Sequence, residues 1–125
     1  MPASSNANRI KNEKRGHKAE TIALSFLRLK GYKLLARRFK SYHGEIDLIM
    51  RKGQTTAFIE VKARSTTDAA ITSVTTYQSK RISAAAGLWM LRDAKAAAGF
   101  CRFDIVAVTA YLWPTHIQNA FSGEI

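Results

Sequence analysis

Two neighbouring segments near the middle of the chain alternate apolar and polar residues, and a glycine turn signal separates them. They cover residues 45–51 and 55–64 of the stretch GEIDLIMRKGQTTAFIEVKAR. Alternation with a period of two is typical of a β-strand that buries one face. We therefore expect a hairpin in which Ile46, Leu48 and Met50 lie on one face. Such a hairpin limits the chain to folds that contain a sheet.

The register of the hairpin follows from matching the apolar faces of its two strands. A two-residue loop at Gly53-Gln54 pairs Leu48 with Ile59 and places Asp47 directly opposite Glu60. A loop that begins one residue earlier keeps the same parity and leaves the two carboxylates diagonal to each other. A β-bulge is a further alternative. Both two-residue loops bring the two acids together on one face.

The facing acids call for a chemical explanation, because directly opposed carboxylates lie roughly 5 Å apart at Cβ and repel each other. A divalent cation between them removes the repulsion, and Mg²⁺ favours one or two carboxylates together with water and phosphate oxygens. Lys62 is expected on the same face, where it can orient or deprotonate a water molecule. The alternative is a solvent-facing side of the sheet with cross-strand ion pairs such as Asp47–Lys62.

The charge of the chain indicates a polyanionic partner. The 125 residues hold 20 Lys and Arg against 9 Asp and Glu, a net charge of +11. Residues 1–43 alone hold 11 basic and 2 acidic residues, a net of +9. Clustered positive charge favours nucleic acid, since neutralised phosphates release counterions. A solubilising excess of charge is the alternative.

Other classes of function find little support in the sequence. The single cysteine, Cys101, excludes an intrachain disulfide, and the scattered His17, His43 and His116 do not have the spacing of a zinc site. We expect these histidines to be structural or exposed. No apolar run approaches the ~20 residues that span a membrane, and no signal peptide is recognisable. The expected location is the cytoplasm.

The remaining segments predict an α/β fold of the order α-β-β-β-α-β-β. We expect a disordered basic tail at residues 1–16 and a single domain at 17–125. Glu20 lies on the flank of the first helix and can face a neighbouring strand. Asp104 is expected to form an ion pair with Arg102. The predicted elements besides the hairpin are a helix at 17–30, a strand at 32–39, a loop at 65–73, a helix at about 76–97 opened by a Thr75–Gln78 capping box, a strand at 101–109 and a short strand at 115–121.

Two strings carry a resemblance to known families. Asp47, followed thirteen residues later by Glu60-Val61-Lys62, resembles the PD-(D/E)XK nuclease motif of restriction-endonuclease-like folds. The longer pattern GEIDLIM…FIEVKAR, with a helix, CRFDIVAV and a closing NAF after it, resembles the YraN family of small bacterial proteins. The resemblance covers about residues 17–121. Members of that family are predicted nucleases related to Holliday-junction resolvases.

The resemblance implies a fold, a metal and roles for particular residues. The fold is a central mixed sheet of about five strands flanked by helices. Asp47, Glu60 and the backbone carbonyl of Val61 would bind Mg²⁺ or Mn²⁺, and Lys62 would be the catalytic lysine. The resemblance adds Glu20 as a first-helix acid and Gln78 as a second-helix residue near the site, with Lys80 or Arg81 supplying charge there.

The leading hypothesis is a magnesium-dependent endonuclease that acts on DNA, including branched or structured DNA. The residues expected to contact phosphates are Arg37, Arg38, Lys40 and Arg64. A nucleic-acid-binding protein that keeps the nuclease-like fold without turnover is one rival, and a protein–protein adaptor is another. The sequence leaves the oligomeric state open. A homodimer is one alternative, because resolvases of this fold class are typically dimers on two-fold symmetric junctions.

Overall fold

In the computed structural model the predicted hairpin forms the middle of an open, mixed sheet. The structure describes residues 2–122, with side-chain positions for 16–110 and 112–122. In chain order the elements are α1 (Pro2–Leu29), β1 (Lys33–Lys40), β2 (Glu45–Lys52), β3 (Thr55–Ala63), α2 (Thr67–Thr72), α3 (Thr76–Arg92), α4 (Ala94–Ala98), β4 (Phe100–Val108), a 3₁₀ turn (Ala110–Leu112) and β5 (Pro114–Ile117).

The sheet has five strands in the order β1-β2-β3-β4-β5. Strands β1, β2 and β3 pair antiparallel, β3 and β4 pair parallel, and β5 returns antiparallel to β4. The parallel pair requires a crossover connection, which α2, α3 and α4 supply. The predicted α/β fold, with a mixed sheet of about five strands flanked by helices, is confirmed.

The hairpin adopts the predicted register along most of its length. Lys52 pairs with Thr55, and the ladder continues to Leu48 opposite Ile59. Gly53 has a φ of +60° in the two-residue turn, a conformation that glycine adopts without steric cost. Matching apolar faces was therefore sufficient to fix the register of this pair.

The predicted common face of β2 is wrong at Ile46. Leu48 and Met50 pack in the core that faces α1, whereas Ile46 packs in the core that faces α3. On β1, opposite this end of β2, Arg38 has a φ of +52°. A left-handed residue breaks the pleat of its strand, so Phe39 and its partner Ile46 turn towards Trp89 of α3.

The sheet separates two apolar cores. One lies beneath α1, whose buried Ala19, Ala23 and Leu27 repeat at the predicted helical spacing. The other lies beneath α3 and α4 and includes Phe58 and Phe103 with their rings stacked at 5.6 Å. Because both faces of β3 and β4 are covered, their side chains are almost wholly apolar in the middle of the sheet.

Several predicted boundaries change, and the last strand, expected at 115–121, is shorter and spans Pro114–Ile117. Helix α1 begins at Pro2, so the residues expected to form a disordered tail are helical from the second position. That stretch has no apolar stripe to reveal a helix, although proline suits the first helical position. Residues 1 and 123–125 of the predicted tail and domain lie outside the described residues.

The predicted loop at 65–73 contains α2, whose N-cap Thr66 accepts a hydrogen bond from the Ala69 amide at 3.1 Å. The predicted helix at about 76–97 is broken at Asp93. The Asp93 side chain caps α4 and accepts hydrogen bonds from Arg51 and Trp89, so tertiary partners hold it out of the helix. Burial alone would raise the pKa of Asp93, but the hydrogen bonds lower it below its usual value.

A buried polar cluster closes the α1 side of the sheet. Asp104 is fully buried and forms the predicted ion pair with Arg102, with Nε 2.8 Å from Oδ1. His116 Nε2 lies 2.8 Å from Asp104 Oδ2, in the structural role expected of this histidine. Burial alone would raise the pKa of Asp104, but hydrogen bonds from His116, Arg102 and the Asn119 amide outweigh it and lower the pKa. Asp104 is therefore a structural acid.

No helix within residues 2–122 is both long enough and apolar enough to cross a membrane.

Gly44 explains how the β1–β2 turn reaches α3. A Cβ atom at Gly44 would lie 2.5 Å from the backbone oxygen of Arg81 and 2.8 Å from its carbonyl carbon. The turn itself is closed by hydrogen bonds between Ser41 and Gly44, including Ser41 N to Gly44 O at 2.9 Å. Only glycine permits the two backbones to approach this closely.

We therefore expect Gly44→Ala to lower the free energy of unfolding by roughly 1–3 kcal/mol, the usual cost of overpacking. Chemical denaturation followed by circular dichroism measures this change. Gly16→Ala is the matched control, because its Cβ would meet no atom within 4 Å and alanine is the better helix former. Equal stability of the Gly44→Ala variant and the wild type would contradict the close approach of turn and helix.

Candidate functional site

The ladder between β2 and β3 ends where the two predicted acids begin. Its last described pair is Leu48 with Ile59. Beyond it the backbone N–H of Val61 donates a hydrogen bond to Asp47 Oδ2 at 2.8 Å. Asp47 and Glu60 are therefore not a directly opposed pair as predicted. Instead, the Asp47 carboxylate lies between β2 and β3 where the two strands diverge. The strands diverge at the same end of β2 where Ile46 turns to the α3 core.

The backbone of Val61 also presents an oxygen to this gap. In an antiparallel strand the N–H and C=O of one residue point towards the same neighbouring strand. Since the Val61 N–H points at Asp47, its carbonyl faces the same side, beyond the end of the ladder. The position of Val61 is thus compatible with the ligand role that the resemblance implies.

Glu60 is the buried member of the acid pair, with 7% of its surface exposed. Gln78 Nε2 donates a hydrogen bond to Glu60 Oε2 at 3.1 Å, and Lys62 Nζ lies 3.8 Å from Oε1. Burial, followed by hydrogen bonding and charge repulsion from Asp47, raises the pKa of Glu60 to about 9, although Lys62 opposes this shift. Without a cation, the pair therefore holds a proton at neutral pH.

A hard divalent cation fits this donor set. Two carboxyl groups that cannot both ionise side by side accept a cation in place of their shared proton, and a backbone carbonyl adds a third oxygen. No group of three or more His, Cys, Asp or Glu side chains within the described part of the chain is arranged to hold a metal. The donors present suit Mg²⁺, which keeps several waters and needs only one or two carboxylates.

Helix α3 delivers Gln78 to the site at its first turn. Its N-cap, Thr75, accepts a hydrogen bond from the Gln78 amide at 3.1 Å, which is half of the predicted capping box. The other half is absent, because the Gln78 side chain bonds to Glu60 instead. One residue thus joins the start of α3 to β3.

Glu20 belongs to a different arrangement. Its Oε1 accepts hydrogen bonds from Arg38 Nε at 3.0 Å and from Arg37 Nε at 3.5 Å. Its charge contributes to the raised pKa of Glu60, so the two acids are near each other. However, Glu20 does not line the cleft that holds Asp47 and Glu60, and neither does Lys62, which reaches Glu60 from outside that lining. The structure makes Glu20 the anchor of two arginines that were predicted to contact phosphates.

An open cleft of about 460 Å³ contains the acid pair. Its lining residues are Glu45, Asp47, Glu60, Thr75, Tyr77, Gln78 and Arg81. A second cleft of about 460 Å³ shares Tyr77 and Arg81 with the first and adds Lys80 and His43. Sequence reasoning missed Tyr77, although its spacing of four residues from Arg81 on a helix was a signal that the two side chains could meet.

The other predicted phosphate contacts are dispersed. Lys40 is exposed and lies 3.8 Å from Glu45 at the edge of the sheet. Arg64 lines a separate, larger depression of about 510 Å³ with Lys18 and the ends of β3 and β4. The four predicted phosphate contacts, Arg37, Arg38, Lys40 and Arg64, do not line the cleft that contains the acid pair, and of the two α3 residues expected to supply charge only Arg81 does.

Comparison with known proteins places the chain in a family. Residues 19–108 match the model of a family described as "Uncharacterised protein family UPF0102". The chain belongs to the UPF0102 family. This confirms the family assignment made from the GEIDLIM and FIEVKAR strings. The matched region includes every residue of the candidate site.

Relatives match over nearly their whole length. A "UPF0102 protein" of Methylorubrum extorquens is 49% identical over 123 residues, which cover 98% of this chain and 96% of the relative. A UPF0102 protein of Mesorhizobium japonicum is 44% identical over 98% of both chains, and one of Rhizobium meliloti is 44% identical over 90% and 93%. These names state a family and no activity.

The raised pKa of Glu60 predicts how stability depends on pH. The folded protein keeps a proton on Glu60 between its usual pKa of 4.5 and about 9, whereas the unfolded chain loses it. The contribution of this proton to the free energy of unfolding is therefore fully present below pH 4.5. It decreases as the pH rises towards 9, by at most about 1.4 kcal/mol per pH unit. Glu60→Gln, which cannot ionise, should lose less stability over the same range.

The measurement is urea denaturation at several pH values between 5 and 9, without divalent cations. The comparison is the difference in unfolding free energy between the wild type and Glu60→Gln, with Glu45→Gln as a matched control for an exposed acid on β2. Parallel pH profiles for the wild type and Glu60→Gln would show that Glu60 is not held in its protonated form.

Proposed function

We propose that this protein is a metal-dependent endonuclease that hydrolyses phosphodiester bonds in DNA, including branched or structured DNA. The observation that carries the proposal is the convergence of Asp47, Glu60 and Lys62 beside the end of one strand ladder. Their order in the sequence matches the PD-(D/E)XK motif. Belonging to the UPF0102 family is consistent with the proposal and states no activity.

Asp47, Glu60 and the Val61 carbonyl are the proposed ligands of Mg²⁺ or Mn²⁺. When held by these residues, a divalent ion would polarise the phosphate, lower the pKa of a water and stabilise the leaving oxygen. The Val61 N–H holds one oxygen of Asp47, so the second oxygen is the one available to a ligand. Gln78 restrains the side chain of Glu60 through its hydrogen bond to Oε2.

Lys62 is the proposed catalytic lysine. Its side chain is 15% exposed and its Nζ lies 3.8 Å from Glu60 Oε1, so the ammonium group is held at the site and is not dispersed in solvent. In that place it orients the attacking water and stabilises negative charge that develops on the phosphate. Gln78 positions Glu60 and is assigned no chemical step.

The basic surface is the proposed contact with the DNA backbone. Arg37 and Arg38 share the carboxylate of Glu20, which limits their freedom while leaving more than a third of each side chain exposed. Pre-oriented guanidinium groups suit phosphate oxygens. Lys40, Arg64, Lys80 and Arg81 extend the same role in the proposal. The net charge of +11 supports association with a polyanion.

The proposal includes two features of biological setting. A chromosomal DNA substrate in a bacterium implies a cytoplasmic location. A homodimer would present two clefts to the two-fold symmetric arms of a four-way junction, which a single chain of 125 residues covers poorly.

The first test is cleavage of duplex, single-stranded and branched DNA with and without Mg²⁺ or Mn²⁺. We expect cleavage only with the metal, and a loss in Asp47→Asn or Lys62→Met of roughly 100-fold or more in kcat/KM. Asp47→Asn keeps an oxygen for the Val61 N–H, so the fold should be preserved. Asp68→Asn, at an exposed site on α2, is the matched control, and cleavage that survives Asp47→Asn would overturn the assignment.

A nucleic-acid-binding protein without turnover is the second candidate. The raised pKa of Glu60 favours it in one respect, because a protonated acid pair binds a cation only by releasing the proton. The two candidates differ in metal binding. Isothermal titration of Mn²⁺ into wild type and Asp47→Asn should show an Asp47-dependent site for the nuclease and no such site for the binding protein.

A further test concerns the two anchored arginines. Arg37→Gln and Arg38→Gln should weaken DNA binding by about the same factor for all sequences and lower the salt slope by about one for each phosphate that is no longer neutralised. Fluorescence anisotropy across a range of salt concentrations measures both effects. Arg28→Gln, an exposed arginine in the last turn of α1, is the control, and unchanged salt slopes in both variants would remove this surface from the proposal.

A further inference from the structure

We infer that the cleft beside the acid pair contains a stacking subsite for an unpaired nucleobase, with Tyr77 as its platform and His43 and Arg81 as its walls. The inference rests on the proposed function and narrows its substrate class. DNA with unpaired bases near the cleavage point would be preferred to uninterrupted duplex.

Tyr77 is an aromatic residue with a large exposed surface that two adjoining clefts share. It is 61% exposed, although most large apolar side chains of the described sheet and α3 are buried. Its ring lines both the cleft with Asp47 and Glu60 and the adjoining cleft with Lys80 and His43. Tyr77 therefore lies where the two clefts meet. A DNA strand that passes from one cleft to the other would cross its ring.

Arg81 covers one part of this ring. Its guanidinium carbon lies 5.7 Å from the centroid of Tyr77, and the spacing of four residues on α3 stacks the two side chains. A guanidinium and an aromatic ring in contact form a surface that is flat and cationic at once. Such a surface suits a base and its phosphate together.

The second wall comes from the β1–β2 turn. The turn carries Tyr42 and His43, whose rings contact each other edge to face at 5.5 Å. Gly44, the next residue, lies against the backbone of Arg81. The close approach that glycine permits therefore fixes His43 beside Arg81. The aromatic groups of the subsite come from two elements that the fold holds in contact.

The subsite lies next to the proposed catalytic groups. Tyr77 directly precedes Gln78, whose side chain is 3.1 Å from Glu60. A base that stacks on Tyr77 would therefore belong to a nucleotide close to the reacting phosphate. In duplex DNA both faces of a base are already occupied by its neighbours, so only an unpaired, splayed or flipped base can use the platform.

The charge of the walls favours nucleic acid over other aromatic ligands. Lys80 and Arg81 supply positive charge at the second cleft, while its other described lining residues, His43, Thr76, Tyr77 and Ala84, bring no acid. The carboxylates are confined to the first cleft, where the metal is proposed. A strand with its base on Tyr77 would thus meet cations at one side and the acid pair at the other.

The test is equilibrium binding of matched oligonucleotides without divalent cations, measured by fluorescence anisotropy. We expect Tyr77→Ala to weaken binding of single-stranded and fork-shaped DNA by about five- to hundredfold, the range that removal of one stacking ring produces. Binding of uninterrupted duplex should change less than about twofold. Tyr77→Phe should restore binding, because stacking needs the ring and not the hydroxyl.

Phe100→Ala is the matched control. Phe100 is an aromatic residue about as exposed as Tyr77, and it begins β4 beside Thr55, away from the part of β4 that pairs with Glu60. A spectroscopic readout adds a direct probe of stacking. A 2-aminopurine base in single-stranded DNA should lose fluorescence on binding to wild type and Tyr77→Phe and keep it on binding to Tyr77→Ala. Tyr77 is exposed, so its variants should retain the wild-type circular dichroism spectrum.

The outcomes separate this inference from the proposed function. Stacking that depends on Tyr77, without any metal-dependent cleavage, would support the subsite and overturn the nuclease. Cleavage that depends on Asp47, with equal effects of Tyr77→Ala on single-stranded and duplex DNA, would support the nuclease and overturn the subsite. No effect of Tyr77→Ala on any DNA would also overturn the subsite.

Discussion

The hydrogen bond from the Val61 amide to the Asp47 carboxylate determines where the candidate site opens in the sheet. Strand β3 stays paired with β4 along its full length, from Thr55 to Ala63, but its ladder with β2 ends at Ile59. Buried backbone groups require partners, and Asp47 supplies one for Val61 at 2.8 Å. The Asp47 side chain thereby separates the two strands and gives the Val61 amide a hydrogen-bond acceptor. The Val61 carbonyl oxygen and the Asp47 carboxylate remain together at this opening.

Two contacts from outside the hairpin hold this opening in shape. Gln78 reaches Glu60 from the first turn of α3, and Gly44 lets the β1–β2 turn lie against the backbone of the same helix. Both contacts depend on α3 beginning near Thr75, where the side chain caps the helix. The start of α3, the end of the β2–β3 ladder and the β1–β2 turn are therefore coupled. We expect a displacement of any of them to move the acid pair together with Tyr77 and His43.

The sequence predicted those features that depend on local pattern. Parity of apolar residues was enough to pair Leu48 with Ile59, and alternation was enough to bring Asp47, Glu60 and Lys62 to one place. It failed where distant partners decide. Ile46 follows Phe39 into the α3 core, and the Asp93 side chain bonds to Arg51 of β2 where the predicted helix breaks. Tyr77 was missed although Arg81 lies four residues away on the same helix, because His43, which completes the second cleft, is distant in the sequence.

Ion pairing separates the structural acids from the candidate functional ones. Among the described acids that are buried or half-buried, three have arginine partners: Glu20 with Arg37 and Arg38, Asp93 with Arg51, and Asp104 with Arg102. Asp47 and Glu60 are paired with no arginine among those same residues, and the nearest cation, Lys62, is 3.8 Å from Glu60. Arg102 holds Asp104 through both carboxylate oxygens, and the charge-assisted hydrogen bonds of all three acids occupy oxygens that a ligand would otherwise use. In a chain with 20 basic residues, the two acids that the arginines leave alone are those with free capacity for a cation.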